Sequence, residues 1–346
     1  MSLTGRSIMV IVLFLWTSLL WGADNTLRIR AVGDIMLGSL NPDGFLRPEE
    51  KGSILTYIRP VLQDADLTLG NLEGTLCDTG STDKCEPDSL DCYVFRMPES
   101  YGADLDSAGF DFLSLANNHV GDFGPDCVTR TEAILDSLGI GWSGRPGTFA
   151  SKILQGISVA FVAFHSGGYC NSSLEHDSAN ELVAWLKRTH DVVLVSVHGG
   201  SEGLAAMHMP DSVEYYLGEN RGHMIKFAHG VIDAGADLVF GHGPHVARAM
   251  ELYKGKVIAY SLGNFATYGR FNLQKERRFG GVLEIEVQKD GKVVAARLIS
   301  VEQKYWGVPF VDPQHRFAHL VDSLSRGDRP GVGPMFGAHG DILLPN

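Results

Sequence analysis

The side chains that could perform chemistry in this 346-residue sequence follow apolar runs, usually beside a glycine. In residues 112–124, FLSLANNHVGDFG, such a run stops at two asparagines and a histidine. One such motif is most often only a turn, but the arrangement recurs. The candidate ligands are Asp34, Asn71, Glu73, Asn117, Asn118, His119, His198, His242, His245 and Asn264. Carboxylate, imidazole and amide donors without a thiolate suit Mn²⁺, Fe or Zn²⁺ better than Ca²⁺, so the sequence predicts a divalent metal site.

The apolar runs before these residues have the length of buried strands. They comprise residues 27–32, 67–69, 112–115, 191–197, 237–240 and 257–261. Residues 125–138 have helical spacing, with Pro125 in the first turn and Gly139 just past the end. This pattern predicts an α/β fold, in which ligands bind beyond the carboxyl ends of strands. We therefore expect the candidate ligands to converge, and beyond Trp306, where Gly and Pro are frequent, we expect an irregular tail.

The net charge argues against one class of partner. It is −12 at pH 7, and no long basic run is present, so we predict no nucleic-acid partner. A polyanionic substrate would be repelled overall unless a bound cation reversed the local field. The length is sufficient for one large domain with a full core or for two smaller domains.

The N-terminal 23 residues predict export from the cytoplasm. Arg6 precedes an apolar run over residues 8–21, which is short for a membrane span and typical of a signal peptide. Trp21 stands near the expected cleavage site, where a small residue is preferred, so an uncleaved membrane anchor is the alternative. In either case the rest of the chain lies outside the cytoplasm, in a periplasmic or other extracytoplasmic compartment.

Three of the five cysteines, Cys77, Cys85 and Cys92, occur in an acidic stretch. Their spacing does not match a zinc knuckle, and an exported protein can form disulfides, so we predict a bond between two of the three. The acidic residues could bind calcium, although a solvated loop is the simpler interpretation. Because the cysteine count is odd, at least one is unpaired or bonds to another chain.

The ordered motifs resemble a known family. These are Gly33-Asp34, Asn71-Leu72-Glu73, Asn117-Asn118-His119, His198-Gly199-Gly200, Gly241-His242-Gly243-Pro244-His245 and the segment 260–265, YSLGNF. They are similar to those of CapA-type capsule-synthesis proteins, which are associated with poly-γ-glutamate and belong to the metallophosphatase superfamily. The resemblance spans roughly residues 27–300. It implies a two-sheet β-sandwich flanked by helices, with the metal site at the strand ends. We expect this domain to cover residues 24–305, with a tail over 306–346 packed on or near it.

The resemblance also implies roles for individual residues. Asp34 would be the first-strand carboxylate ligand, and His119 would protonate a leaving oxygen, which makes both candidates for catalysis. One or two divalent ions would be held by Asp34, Glu73, Asn118, His198, His242 and His245, and substrate would be contacted by Asn71, Asn117 and Asn264. Two positions depart from the wider superfamily. Met36 stands where a histidine is expected, and Asn71 or Glu73 replaces a bridging aspartate.

Three hypotheses for the function follow. The first is an exported protein that assists synthesis or export of an anionic polymer such as poly-γ-glutamate, possible partners being a membrane capsule-synthesis complex and the polymer itself. The second is a metal-dependent hydrolase of phosphoesters or polymer amides with His119 as general acid. The third is a module that binds a phosphate- or carboxylate-bearing ligand without turnover. The departures at Met36 and Asn71 favour the first and third, and we adopt the first.

Overall fold

The computed structural model describes residues 26–85 and 92–344. The predicted signal peptide or anchor over residues 1–23 lies outside these ranges, as do Glu86, Asp88 and Asp91 of the acidic stretch. Within the described ranges, no helix combines the length and the apolar character needed to cross a membrane.

The chain contains short helices between many strands. The helices are α1 (Arg59–Gln63), α2 (Gly102–Ala108), α3 (Gly124–Leu138), α4 (His176–Thr189), α5 (Met224–Asp233) and α6 (Arg316–Asp328). The strands are β1 (Thr26–Met36), β2 (Leu67–Leu72), β3 (Thr75–Leu76), β4 (Arg96–Met97), β5 (Phe112–Ser114), β6 (Gly141–Ser143), β7 (Ala150–Leu154), β8 (Ile157–His165), β9 (Val192–His198), β10 (Glu214–Tyr216), β11 (Glu219–Gly222), β12 (Leu238–His242), β13 (Met250–Tyr253), β14 (Lys256–Ala259), β15 (Asn264–Thr267), β16 (Phe279–Gln288), β17 (Val293–Lys304), β18 (Val308–Val311), β19 (Met335–Phe336) and β20 (Ile342–Leu343).

Two large sheets carry the fold. The first has eight strands in the order β18-β17-β16-β1-β2-β5-β6, with β15 also paired to β1, and the second has six in the order β13-β14-β12-β9-β8-β7. In the first sheet β1, β2, β5 and β6 are parallel. In the second, β8, β9, β12 and β14 are parallel. The carboxyl ends of these parallel strands therefore lie along the same edge of each sheet.

The strands at the centre of the second sheet are apolar on both faces because both faces are covered. On one face of β8, Phe161 lies in the core shared by the sheets and stacks on Phe112 of β5 at 5.6 Å between ring centroids. On the other face, Phe164 packs against Phe227 of α5 at 5.3 Å. An unbroken apolar run is typical of strands buried in this way. The expected two-sheet α/β sandwich with flanking helices is confirmed.

The expectation of an irregular chain after Trp306 is wrong. β18 pairs with β17 and extends the first sheet. The helix α6 then buries Phe317, Val321 and Leu324. These residues recur at helical spacing, so one face of the segment gains apolar burial, which outweighs the local effect of the glycines and prolines around it.

Two disulfides are present. Cys85 bonds to Cys92, which confirms the prediction of a bond between two of the first three cysteines. Cys77 bonds instead to Cys127 in α3, with a Cα–Cα distance of 5.4 Å. The fifth cysteine, Cys170, is buried and free. The Cys77–Cys127 bond fixes the first turn of α3, which directly follows the loop that carries the asparagine and histidine candidates.

We expect loss of the Cys77–Cys127 bond to destabilise the protein more than loss of the Cys85–Cys92 bond. The bonds close loops with sequence separations of 50 and 7 residues. Loop-closure entropy then gives about 4 kcal/mol for the first bond and about 2 kcal/mol for the second. Urea unfolding of Cys127→Ser and Cys85→Ser, beside the oxidised parent, measures the difference. Peptide mapping that finds Cys77 alkylated without reductant would contradict the assignment.

Candidate metal centre

The predicted ligands lie where strands of both sheets end. In the first sheet, Asp34 of β1 is in register with Asn71 of β2 and with Asn264 of β15. In the second sheet, His198 of β9 is in register with His242 of β12. All five side chains are buried. Within each sheet, strand pairing therefore brings together residues that are far apart in sequence.

Two glycines allow the backbone to approach this closely. A Cβ atom at Gly33 would lie 1.9 Å from the carbonyl oxygen of Gly263, which accepts a 3.0 Å hydrogen bond from the Asp34 amide. At Gly243, where φ is +106°, a Cβ atom would lie 3.0 Å from the His198 ring. Any larger residue at either position would displace a candidate ligand.

Asp34 is the centre of the hydrogen-bond network. Its Oδ1 atom accepts a 2.9 Å hydrogen bond from Asn71 Nδ2, and its Oδ2 atom lies 3.0 Å from His245 Nδ1. His242 Nδ1 is 3.6 Å from Oδ1. His245 has a φ of 57°, a left-handed conformation that is uncommon outside glycine and clusters at functional sites.

Several buried ligand atoms near Asp34 have no hydrogen-bond partner among the described residues, although Glu73 Oε1 lies 3.5 Å from His245 Nε2. Among the described residues, neither carboxylate oxygen of Glu73 accepts a hydrogen bond, and the same holds for Nε2 of His198 and both ring nitrogens of His242. Such groups are costly to bury unless another species satisfies them. Asp34, Glu73 and His198 each offer a ligand atom within 4.8 Å of the other two. This donor set fits a divalent metal ion.

Electrostatics also indicate that a cation belongs here. Burial raises the pKa of Glu73 well above its ordinary value, and attraction to His245 only partly offsets the rise. Burial alone would lower the pKa of His245, but Glu73 and Asp34 together raise it to about 10. By contrast, burial lowers the pKa of His198 and brings that of His242 to about 4. These two imidazoles are therefore neutral, which metal binding requires.

His119 forms a buried pair with Asp122. Its Nδ1 atom lies 2.7 Å from Asp122 Oδ2, which also accepts a 3.0 Å hydrogen bond from the Phe95 amide. The other ring nitrogen, Nε2, is 3.9 Å from Glu73 Oε1 and so faces the ligand cluster. Burial lowers the pKa of His119, although Asp122 opposes the effect. The pair holds the imidazole in an orientation suited to exchanging a proton with a bound ligand.

The predicted substrate-contacting asparagines divide into two groups. Asn117 donates to Asn71 Oδ1 at 3.2 Å and to the Leu72 carbonyl at 2.8 Å, while its own oxygen accepts from the His119 amide at 3.1 Å. Asn71 and Asn117 thus use their amides to position neighbours. Asn264, however, leaves its side-chain oxygen without a partner among the described residues. The side-chain oxygen of Asn118, the predicted amide ligand, also has no hydrogen-bond partner among the described residues.

Three further residues of the site were not predicted from the sequence. Glu202 Oε2 is 3.8 Å from His245 Nε2, and Arg221 Nη2 is 3.3 Å from Glu202 Oε1. His165 ends β8 in register with His198, and burial lowers its pKa to about 4. His165 follows an apolar run, the signal that identified the other ligands. Arg221 lies on a short polar hairpin, which carries no such signal.

Residues that contact the cluster line a cavity of about 1120 Å³. Its wall includes Asn118, His119, Glu202, Arg221 and His245. Small-molecule sites commonly have volumes of about 300–1,000 Å³, so the space exceeds what one small phosphoester needs. The site therefore has room for a segment of a larger molecule.

Comparisons with known proteins identify the same family that the ordered motifs resemble. The family described as "Bacterial capsule synthesis protein PGA_cap" matches residues 28–268. The chain belongs to this capsule synthesis family. Two relatives are the PGA biosynthesis protein CapA of Bacillus subtilis, 27% identical over 262 residues, and the capsule biosynthesis protein CapA of Bacillus anthracis, 27% identical over 259 residues. The matches cover 70% and 69% of this chain, but only 64% and 59% of the relatives.

This capsule synthesis family member therefore spans less than two thirds of the length of those relatives. Among solved structures, a 5′-nucleotidase precursor from Thermus thermophilus superposes with a TM-score of 0.38 at 9% identity, covering 88% of this chain and 59% of that chain.

Met36 and Asn71, the two departures expected from the sequence, occupy defined places. Met36 is fully buried at the end of β1. Asn71 Nδ2 lies between Asp34 Oδ1 at 2.9 Å and His198 Nδ1 at 3.3 Å. An amide thus stands between two candidate ligands where a bridging carboxylate is expected, and it adds no negative charge to the centre.

We expect His198→Ala and Glu73→Gln to lower Mn²⁺ or Zn²⁺ affinity by at least 10- to 100-fold, the range for even indirect contacts to a metal. His208→Ala is the matched control, because the His208 side chain is 77% exposed and pairs with Asp328. Mass spectrometry of purified, reconstituted proteins measures metal per chain. Equal metal content in all variants, or none in the parent, would rule out the centre.

Proposed function

We propose that this chain is an exported capsule-synthesis protein that assists synthesis or export of an anionic polymer such as poly-γ-glutamate. The observation that carries the proposal is a cluster of buried ligand atoms that have no hydrogen-bond partner among the described residues and lie beside a large cavity. Two relatives named for PGA and capsule biosynthesis support the polymer assignment. A membrane capsule-synthesis complex is the proposed partner.

Two features support the proposed location outside the cytoplasm. The apolar run over residues 8–21 is typical of a signal peptide or an N-terminal anchor. The two disulfides need an oxidising compartment, which the cytosol does not offer. We place the folded domain from about residue 24, together with the C-terminal strand and helix.

The proposed metal is Mn²⁺, Zn²⁺ or Fe, held by Asp34, Glu73, His198 and His242, with Asn118 as an amide donor. His245 would join them by giving up its proton when the metal binds, since a metal-bound imidazole is neutral. When bound, such an ion polarises a carbonyl or phosphoryl oxygen and activates water. The chain's own residues then orient the ligand. The side-chain oxygens of Asn118 and Asn264 lack protein partners among the described residues and are free to contact it.

A second candidate function is hydrolysis of a polymer amide or a phosphoester. The pairing of His119 with Asp122 at 2.7 Å favours it, because a mere metal-binding module would not need an oriented imidazole facing the cluster. In this role Asp122 fixes the ring through Nδ1, and Nε2 gives a proton to the leaving oxygen or nitrogen.

We expect His198→Ala to abolish polymer formation in a host deleted for its own copy of this gene. Loss of an inner ligand removes the metal on which the proposed role depends. Polymer per cell, with immunoblots to confirm equal protein, is the measurement, and His208→Ala should restore the parent level. Full polymer production by a His198→Ala protein that lacks metal would overturn the assembly role of the site.

If the site turns over substrate, His119→Ala should lower the rate by about 10²- to 10⁴-fold, the usual contribution of general acid catalysis. Asp122→Asn should produce a smaller loss, because the ring remains but its orientation weakens. The assay uses γ-linked glutamyl peptides and aryl phosphate esters with added metal. Polymer loss in cells without measurable hydrolysis by the purified parent would favour the assembly role.

A further inference from the structure

Arg221 is a buried cation beside the candidate metal centre, and it has no part in either of the proposed roles. Its side chain is 4% exposed. Its Nη2 atom lies 3.3 Å from Glu202 Oε1 and 3.1 Å from Glu219 Oε2. Its Nε and Nη1 atoms have no hydrogen-bond acceptor among the described residues. A buried guanidinium that keeps unused donors in a cavity wall is poised to bind an anion.

The backbone fixes Arg221 relative to the candidate ligands. The Arg221 carbonyl accepts a 2.9 Å hydrogen bond from Gly200, two residues after His198. The hairpin formed by β10 and β11 is in turn anchored by Glu214, which accepts hydrogen bonds of 2.8 and 2.6 Å from the buried Arg248. Arg221 therefore occupies a preorganised position and does not need to be ordered by the ligand.

A second arginine lines the same cavity. Arg277 is half-buried, and its Nη2 atom lies 3.4 Å from the place a Cβ atom would take at Gly203, next to Glu202. Among the described residues, no acidic side chain forms an ion pair with Arg277. The Arg277 carbonyl accepts a 3.0 Å hydrogen bond from Asn264 Nδ2, which ties this arginine to the other side of the centre.

We propose that Arg221 and Arg277 form an anion subsite, which holds a carboxylate or phosphate group of the substrate while a neighbouring linkage lies at the metal centre. This inference rests on the proposed polymer function. The feature of the polymer that the arginines recognise is a negative charge at a regular distance from each linkage. Arginine is suited to the task because its planar donors match both oxyanions.

The subsite also resolves an electrostatic conflict. The protein has a net charge of −12 and would repel a polyanion. Arg221 and Arg277 place positive charge in the cavity wall, beside Glu202 and Glu219, where reduced solvent exposure weakens screening. Recognition is then local, and a neutral polymer of the same shape lacks the groups that these arginines bind.

The test is equilibrium binding of short oligomers to the metal-loaded full protein by calorimetry. The probes are a γ-linked glutamate oligomer, its neutral analogue with amides in place of the free carboxylates, and a glycerol phosphate oligomer. We expect the parent to bind the glutamate oligomer at least 10-fold more tightly than the neutral analogue. Arg221→Met should weaken binding of the charged oligomer by about 10- to 100-fold, and Arg221→Lys by less.

Controls separate this inference from the proposed function. Arg130→Met removes the same charge from α3, where Arg130 pairs with Glu99 away from the cavity, and should change nothing. Metal content and melting temperature show whether Arg221→Met is folded. If Arg221→Met does not fold, binding of the charged and neutral oligomers is compared in Arg277→Met, which alters a half-buried residue.

Each outcome is decisive. Unchanged binding of the charged oligomer by a folded Arg221→Met protein overturns the subsite, as does a parent that binds charged and neutral oligomers equally. Tighter binding of the glycerol phosphate oligomer, lost in Arg221→Met, supports the subsite but counts against poly-γ-glutamate as the polymer. If His198→Ala loses its metal but still binds the charged oligomer more tightly than the neutral one, the result supports a subsite that is independent of the metal centre.

Discussion

The constraint on which this structure depends is the burial of two carboxylates, Asp34 and Glu73, in one small volume. Both side chains are fully buried, and neither oxygen of Glu73 has a hydrogen-bond donor among the described residues. Two like charges without compensation would not persist there, because desolvation and mutual repulsion both oppose ionisation. Burial opposes a charge on His245, but Glu73 and Asp34 raise its pKa to about 10, and a divalent ion would compensate the same two carboxylates.

The fold fixes the candidate ligands on its strands relative to each other through the two sheets. Asp34 and His198 stand at the ends of strands in different sheets, and the sheets share one core, so their separation is set by packing. The loop with His119 leads directly into α3, which the Cys77–Cys127 bond holds at its first turn. Sites built on rigid elements hold their ligands with the accuracy that metal binding needs.

Much of this arrangement could be predicted from the sequence, because strand ends carry a local signal. An apolar run, a glycine and a polar side chain indicated Asp34, Glu73 and His198, and the structure brings these three together. An apolar run also precedes His165, but no glycine adjoins this histidine, so the motif indicates it less clearly. Arg221 had no local signal, because its place depends on a hairpin docked through Glu214 and Arg248. Long-range contacts of this kind, like the Cys77–Cys127 bond, are not encoded in spacing.

The substitution at Asn71 bears on the number of metal ions. If a metal ion binds, ionised Asp34 and Glu73 would supply two negative charges, which balance one divalent cation. A bridging carboxylate at position 71 would add a third, but Asn71 is neutral and donates its amide to Asp34 at 2.9 Å. The remaining candidate is Glu202, whose Oε1 atom is 3.3 Å from Arg221 Nη2 and thus already faces a cation. A second divalent ion would have to compete with that guanidinium. In the proposed metal site, charge balance therefore favours one tightly held ion.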